Sequence, residues 1–173
     1  MHAKEPLPER SLHRLKPAVY ANASLAFHFT LCARHQDKPF LNSSLAEKII
    51  ESLLWTKERY SWRLFCFCLM PDHLHFLCRL SETEEKLVNA GARGILPEGV
   101  LDHVARFKSF TTQESWKLNF RGKLWQKQSY DRVFDLDWPF EQVAQYILDN
   151  PVRRGLAKQW DEWPYSRIVD PWW

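Results

Sequence analysis

The sequence predicts an α+β fold: a central antiparallel sheet with helices packed on it. Three observations carry that expectation. Apolar, aromatic runs of strand length occupy residues 25–34, 61–70 and 73–80. Three longer stretches repeat apolar residues at helical spacing. The two kinds of segment follow one another as strand, helix, two strands, helix, strand, helix, with the helices expected on one side of the sheet.

Each element has its own signal. Residues 1–23 lack periodicity and read as an extension or arm. "LAFHFTLCAR" (25–34) is a strand, after which "QDKP" turns the chain. "NSSLAEKIIESLLWTKERY" (42–60) carries Leu45, Ile49, Ile50, Leu53 and Leu54 at helical spacing, with Ser43 or Ser44 as N-cap. "SWRLFCFCLM" and "HLHFLCRL" are strands joined by Pro71-Asp72, where proline presets φ for a tight turn, so they form a hairpin. Residues 81–100 hold three of the five glycines and Pro97, and read as a loop or weak helix. A second helix begins near residue 98, "GKLWQKQSYDRVF" suggests a further strand, and "PFEQVAQYILDNP" (139–151) is a helix stopped by Pro151. The tail "WDEWPYSRIVDPWW" is irregular and aromatic. The organisation expected is an N-terminal extension (1–24), one domain (25–167) and a C-terminal tail (168–173).

At 173 residues the chain is long enough to bury a real core. No apolar run approaches a membrane span, and "MHAKEPLPERSLHRLK" lacks the apolar centre of a signal peptide. A soluble, cytoplasmic protein with no membrane partner is therefore expected. Cys32, Cys66, Cys68 and Cys78 lie in strand-like text without a C-x-x-C pair, and read as small core residues rather than a disulfide framework.

The net charge is only +3, but its distribution is uneven. Residues 101–132 hold seven basic side chains against three acidic ones, whereas "SETEEK" (81–86) is acidic. One phosphate-facing side would look like this, and so would a solvated helix face. Trp116, Phe120, Trp125 and Tyr130 are interleaved with the basic residues, as in proteins that track a phosphate chain and stack bases. Trp125 and Phe134 flank a strand and are expected in the core. Lys108, Lys123, Lys127 and Arg132 are the candidates for contact with a phosphate backbone. Arg153 and Arg154, just past the third helix, either meet phosphate or form an ordinary helix-end charge pair.

The hairpin carries His73-Leu74-His75. On a strand both imidazoles point the same way, a geometry suited to a divalent ion or to two half-buried histidines bonded to neighbours. On the third helix Phe140, Val143, Ala144, Ile147 and Leu148 share an apolar face, and Tyr146 falls about 130° from its centre. Asn150 lies one turn on, so its amide and the Tyr146 hydroxyl can approach one spot. From spacing alone Tyr146 could equally be an amphipathic residue at the core's edge. Cys66 and Cys68 share a strand face before the histidines, which leaves a zinc site as a further reading.

"CLMPDHLHFL" resembles the HUH motif (histidine, hydrophobic residue, histidine) of the single-tyrosine transposases of the insertion-sequence-200 type. The whole chain is similar to the REP-associated tyrosine transposases. "RFKSFTT" (106–112), "LWQKQSYDRVF" (124–134), "YILDNPVRRGL" (146–156) and "WPYS" (163–166) stand in that family's order and spacing, so the resemblance covers residues 25–167. It implies that His73 and His75 bind a metal, that Tyr146 is the nucleophile, and that Asn150 is a third polar group near the metal. It further implies Mg²⁺ or Mn²⁺ as cofactor and single-stranded or hairpin DNA as partner. The reaction implied is cleavage and strand transfer through a 5′-phosphotyrosine, by a monomer or homodimer. Residues 1–24 and 81–100 match no shared motif. A non-catalytic DNA-binding regulator on the same scaffold and a metal hydrolase using bound water are the competing functions.

Overall fold

The computed structural model describes residues 15–34, 38–81, 99–135 and 139–172. Five strands form one sheet: β1 (Leu25–Cys32), β2 (Trp62–Met70), β3 (His73–Leu80), β4 (Tyr130–Asp135) and β5 (Ser166–Ile168), in the order β4-β1-β3-β2-β5. All four pairings are antiparallel. The helices are α1 (Pro17–Tyr20), α2 (Ser43–Arg59), α3 (Val100–Lys117), α4 (Phe140–Leu148) and α5 (Asn150–Arg153). The expectation for 81–100 lies almost wholly outside the described residues.

The helices divide between the two faces of the sheet, unlike the one-sided packing expected. Strand alternation explains how both faces are served. Phe27, Phe29, Leu31, Leu74 and Phe76 point toward α2 and α3, forming one core with Leu45, Ile49, Leu53, Val104 and Phe107. Ala26, Cys66, Cys68, Met70 and Leu77 point the other way and meet Val143, Ala144, Ile147 and Leu148 of α4. Both faces of β1, β2 and β3 are therefore covered, and these strands read as continuous apolar runs for that reason.

Several local details depart from the sequence expectations. The N-cap of α2 is Asn42, whose side chain accepts from the Leu45 N–H at 3.0 Å, rather than Ser43 or Ser44. The strand expected over 122–134 is confined to Tyr130–Asp135, with one isolated bridge upstream between Trp125 and Ala33. The tail contributes β5, a three-residue edge strand on β2. In the described part of the N-terminal extension, Tyr20 is buried and its hydroxyl donates to Asp131 Oδ2 at 2.7 Å.

The Pro71-Asp72 turn joins β2 to β3 in two residues, with Met70 opposite His73. It is held from outside: Ala33 N–H donates to the Asp72 carbonyl at 2.8 Å and Phe40 N–H to the Pro71 carbonyl at 3.1 Å. These bonds fix the turn that starts β3 in the middle of the sheet.

Candidate active site

His73 and His75 stand at the start of the central strand, on the face that α4 covers. Their ring centroids are 4.7 Å apart and the rings are nearly perpendicular, at 87°. Each imidazole is held through Nδ1. His73 Nδ1 lies 2.6 Å from Asp72 Oδ1. His75 Nδ1 lies 3.0 Å from Thr30 Oγ1 and 3.1 Å from His28 Nε2. A proton kept at Nδ1 by such partners leaves the ring's lone pair on Nε2, the form in which imidazole ligates a divalent ion.

Thr30 sits directly opposite His75 on the neighbouring strand, and His28 two residues before it shares its face. His28 is buried, and its ring meets Tyr146 edge-on with centroids 6.2 Å apart. It is therefore the link between the two strand histidines and the tyrosine helix. Sequence reasoning missed it because a lone histidine in "LAFHFTLC" reads as core. The available signal was its period-2 partnership with Thr30, since His28 and Thr30 face away from Phe27, Phe29 and Leu31.

On α4 the residues expected to be apolar do pack inward, and Tyr146 is half-buried against their edge. The Arg153 guanidinium lies over the Tyr146 ring, 4.0 Å from its centroid, and its Nη2 donates to the Tyr146 carbonyl at 3.0 Å. Asn150 opens α5 and is 7% exposed. Its Nδ2 donates to the carbonyls of Tyr146 (3.1 Å) and Ile147 (3.0 Å), which leaves Oδ1 as the amide group it can offer. Tyr146, Asn150 and Arg153 are thus joined by direct contact.

The remaining candidates lie elsewhere. Arg132, on β4, is opposite His28 in the strand register and so on the same face. Arg154 is exposed at the end of α5. Lys108, Lys123 and Lys127 line a groove beside α3, on the opposite side of the sheet.

Two imidazoles and one carboxamide, the donor types expected from the sequence, would make a neutral set that suits an ion whose shell is completed by phosphate oxygens. Among the described residues no group of three or more His, Cys, Asp or Glu side chains could hold a metal. The zinc reading has no support in the cysteines either. Burial pushes the Cys66 thiol far up, and the Cys68 thiol to about 11 despite the Ser166 hydroxyl and the Arg153 charge. Such thiols stay protonated near neutral pH and are poor ligands. Among the described residues no disulfide forms, and no helix is long and apolar enough to cross a membrane.

The family described as "Transposase IS200 like" matches residues 21–90. A Haemophilus influenzae protein classed as a REP-associated tyrosine transposase is 25% identical over 150 residues, spanning 81% of this chain and 77% of that protein. The REP-associated tyrosine transposase of Escherichia coli K12 is 20% identical over 138 residues, spanning 80% of this chain and 73% of that one. A solved REP-associated tyrosine transposase, bound to a REP hairpin, shares the fold with a TM-score of 0.67 at 17% identity, covering 90% of this chain and 81% of its own. Residues 21–90 thus match the IS200-like transposase family, and over about four fifths of its length the chain is similar to REP-associated tyrosine transposases.

Proposed function

We propose that this protein cleaves and rejoins single-stranded DNA through Tyr146, on hairpin-forming repeats like the one bound by its structural relative. The observation that carries the reading is the pairing of two Nδ1-anchored histidines, His73 and His75, with a tyrosine reached through His28.

Tyr146 Oη attacks the phosphorus in line, and the bond from phosphorus to the 3′ oxygen breaks. The phenolic proton leaves Tyr146, and the departing 3′ oxygen takes up a proton. The 5′ phosphate stays on Tyr146 as a phosphodiester, so the energy of the broken bond is retained. A 3′ hydroxyl from another end can then reverse the step and join a new strand without ATP. Arg153, stacked on the tyrosine ring, places a positive charge beside the nucleophile where it can meet the incoming phosphate. His73 and His75 with Asn150 Oδ1 are the groups that would hold Mg²⁺ or Mn²⁺. Such an ion, when bound, draws negative charge from a non-bridging phosphate oxygen. Asp72, Thr30 and His28 keep the two imidazoles in the ligating tautomer and orientation.

The test uses hairpin oligonucleotides built on palindromic repeats near the gene, labelled at the 3′ end, with Mn²⁺. A denaturant-resistant protein–DNA adduct carrying that label is expected from the wild type and none from Tyr146→Phe. Cleavage that persists in Tyr146→Phe would point to hydrolysis by water. Binding with no adduct from the wild type would point to a regulator. Either result overturns the reading.

A further inference from the structure

One groove of the molecule plays no part in the chemistry above. It is a groove of about 400 Å³ between α3 and the segment 123–129, on the α2–α3 side of the sheet. We propose that this groove is a binding site for one unpaired base of single-stranded DNA, stacked on Trp116 with its phosphates met by Lys123 and Lys127. The proposal rests on the functional reading only in taking DNA as the ligand.

Three features argue for that occupant. Trp116 is 52% exposed, yet its indole N–H is committed to the Gly122 carbonyl at 2.6 Å. The ring is thereby fixed in place and offers a face rather than a donor, as a stacking platform requires. The lining carries three lysines and no carboxylate, which suits a polyanion. The floor is rigid: Trp125 is buried and donates to Thr111 Oγ1 at 2.8 Å, and Lys108 Nζ donates to the carbonyls of Gln126 (2.7 Å) and Lys127 (3.2 Å). Lys108 therefore shapes the groove, while the exposed Lys123 and Lys127 are the ones placed to reach phosphate.

Position gives the groove a role. Gln126 N–H donates to the Cys32 carbonyl at 2.9 Å, and Cys32 lies opposite His73. Two strand spacings, about 10 Å, thus separate the groove's backbone wall from the strand that carries the histidines. A strand passing round the end of the sheet beside the Pro71-Asp72 turn would have one base held here and a phosphate a few nucleotides away facing Tyr146. The groove then sets which phosphate is cut.

The experiment measures binding of fluorescent oligothymidine and of an abasic oligonucleotide of equal length and charge to the full chain. The wild type is expected to prefer the base-bearing strand about tenfold. Trp116→Ala should erase most of that preference by weakening the oligothymidine alone, and Trp116→Phe should keep most of it. The double variant Lys123→Ala/Lys127→Ala should keep the preference but lower the slope of log affinity against log salt by about 1.4. An unchanged preference in Trp116→Ala, or an unchanged salt slope in the double variant, overturns the proposal. Base preference is read without cleavage and the covalent adduct without Trp116, so loss of the adduct in Tyr146→Phe and loss of base preference in Trp116→Ala report on separate claims.

Discussion

The two faces of the sheet are built by the same strands and have opposite characters. Toward α2 and α3, β1 and β3 present Phe27, Phe29, Leu31, Leu74, Phe76 and Cys78, which pack as a dry core with Phe29 and Phe76 stacked 5.2 Å apart. Toward α4 the same strands present His28, Thr30, His73 and His75, joined through nitrogen and hydroxyl contacts. Alternate residues of one strand thus divide the labour: one set supplies stability, and the other is tied together by polar contacts that would be costly to leave unmade. The lesson is that a site of this kind draws its rigidity from the opposite side of the strands that carry it.

Substitutions on the two faces should separate these contributions. The largest expected effect is His75→Ala, which should lower adduct formation by about four orders of magnitude, roughly 5 kcal/mol of barrier, in a quenched cleavage assay. Its neighbour on the dry face, Phe76→Ala, should cost about 4 kcal/mol of stability in urea denaturation, with activity per folded molecule much less affected. His28→Ala should come next. Loss of a residue that steadies a ligating histidine should raise the Mn²⁺ concentration needed for half-maximal cleavage about 10- to 100-fold. The smallest effect belongs to Asn42→Ala, which removes the α2 cap on the dry side. It should cost about 1 kcal/mol of stability and leave the metal requirement unchanged, and a change in the Mn²⁺ titration would break the separation of faces.

Much of this was legible in the sequence, for physical reasons that differ by element. β1, α2 and the β2–β3 hairpin were read to within a few residues because both their faces are apolar or their turn chemistry is strong. β5 was not, because three residues of "PYSRIV" form a strand only by pairing with an edge that folding supplies. The strand expected upstream of Tyr130 fails because Leu124, Trp125 and Gln126 bond to the end of β1 without extending the ladder. The division of helices between two faces does not follow from element order, since alternation serves either arrangement. At the site, the spacing of His73 with His75 and of Tyr146 with Asn150 was visible as two separate pairs. What joins them, His28, becomes visible only when β1 is laid beside β3.

One residue in β2 breaks the alternation of its strand. Leu64 is opposite Cys78 but Cys66 is opposite Leu77, so Phe65 is an extra residue in the ladder. Phe65 and Cys66 consequently both face α4, while Leu64 and Phe67 both face the other core. The strand changes phase at this point, much as a frameshift changes a reading frame. Deleting Phe65 would remove that extra residue and make the ladder regular: Leu64 and Cys66 would follow one another, still opposite Cys78 and Leu77 and still on opposite faces. The loss of one residue here, eight positions before His73, would thus leave the histidines and the α2–α3 core in register, and its cost would fall on the contact of the Phe65 ring with Phe140.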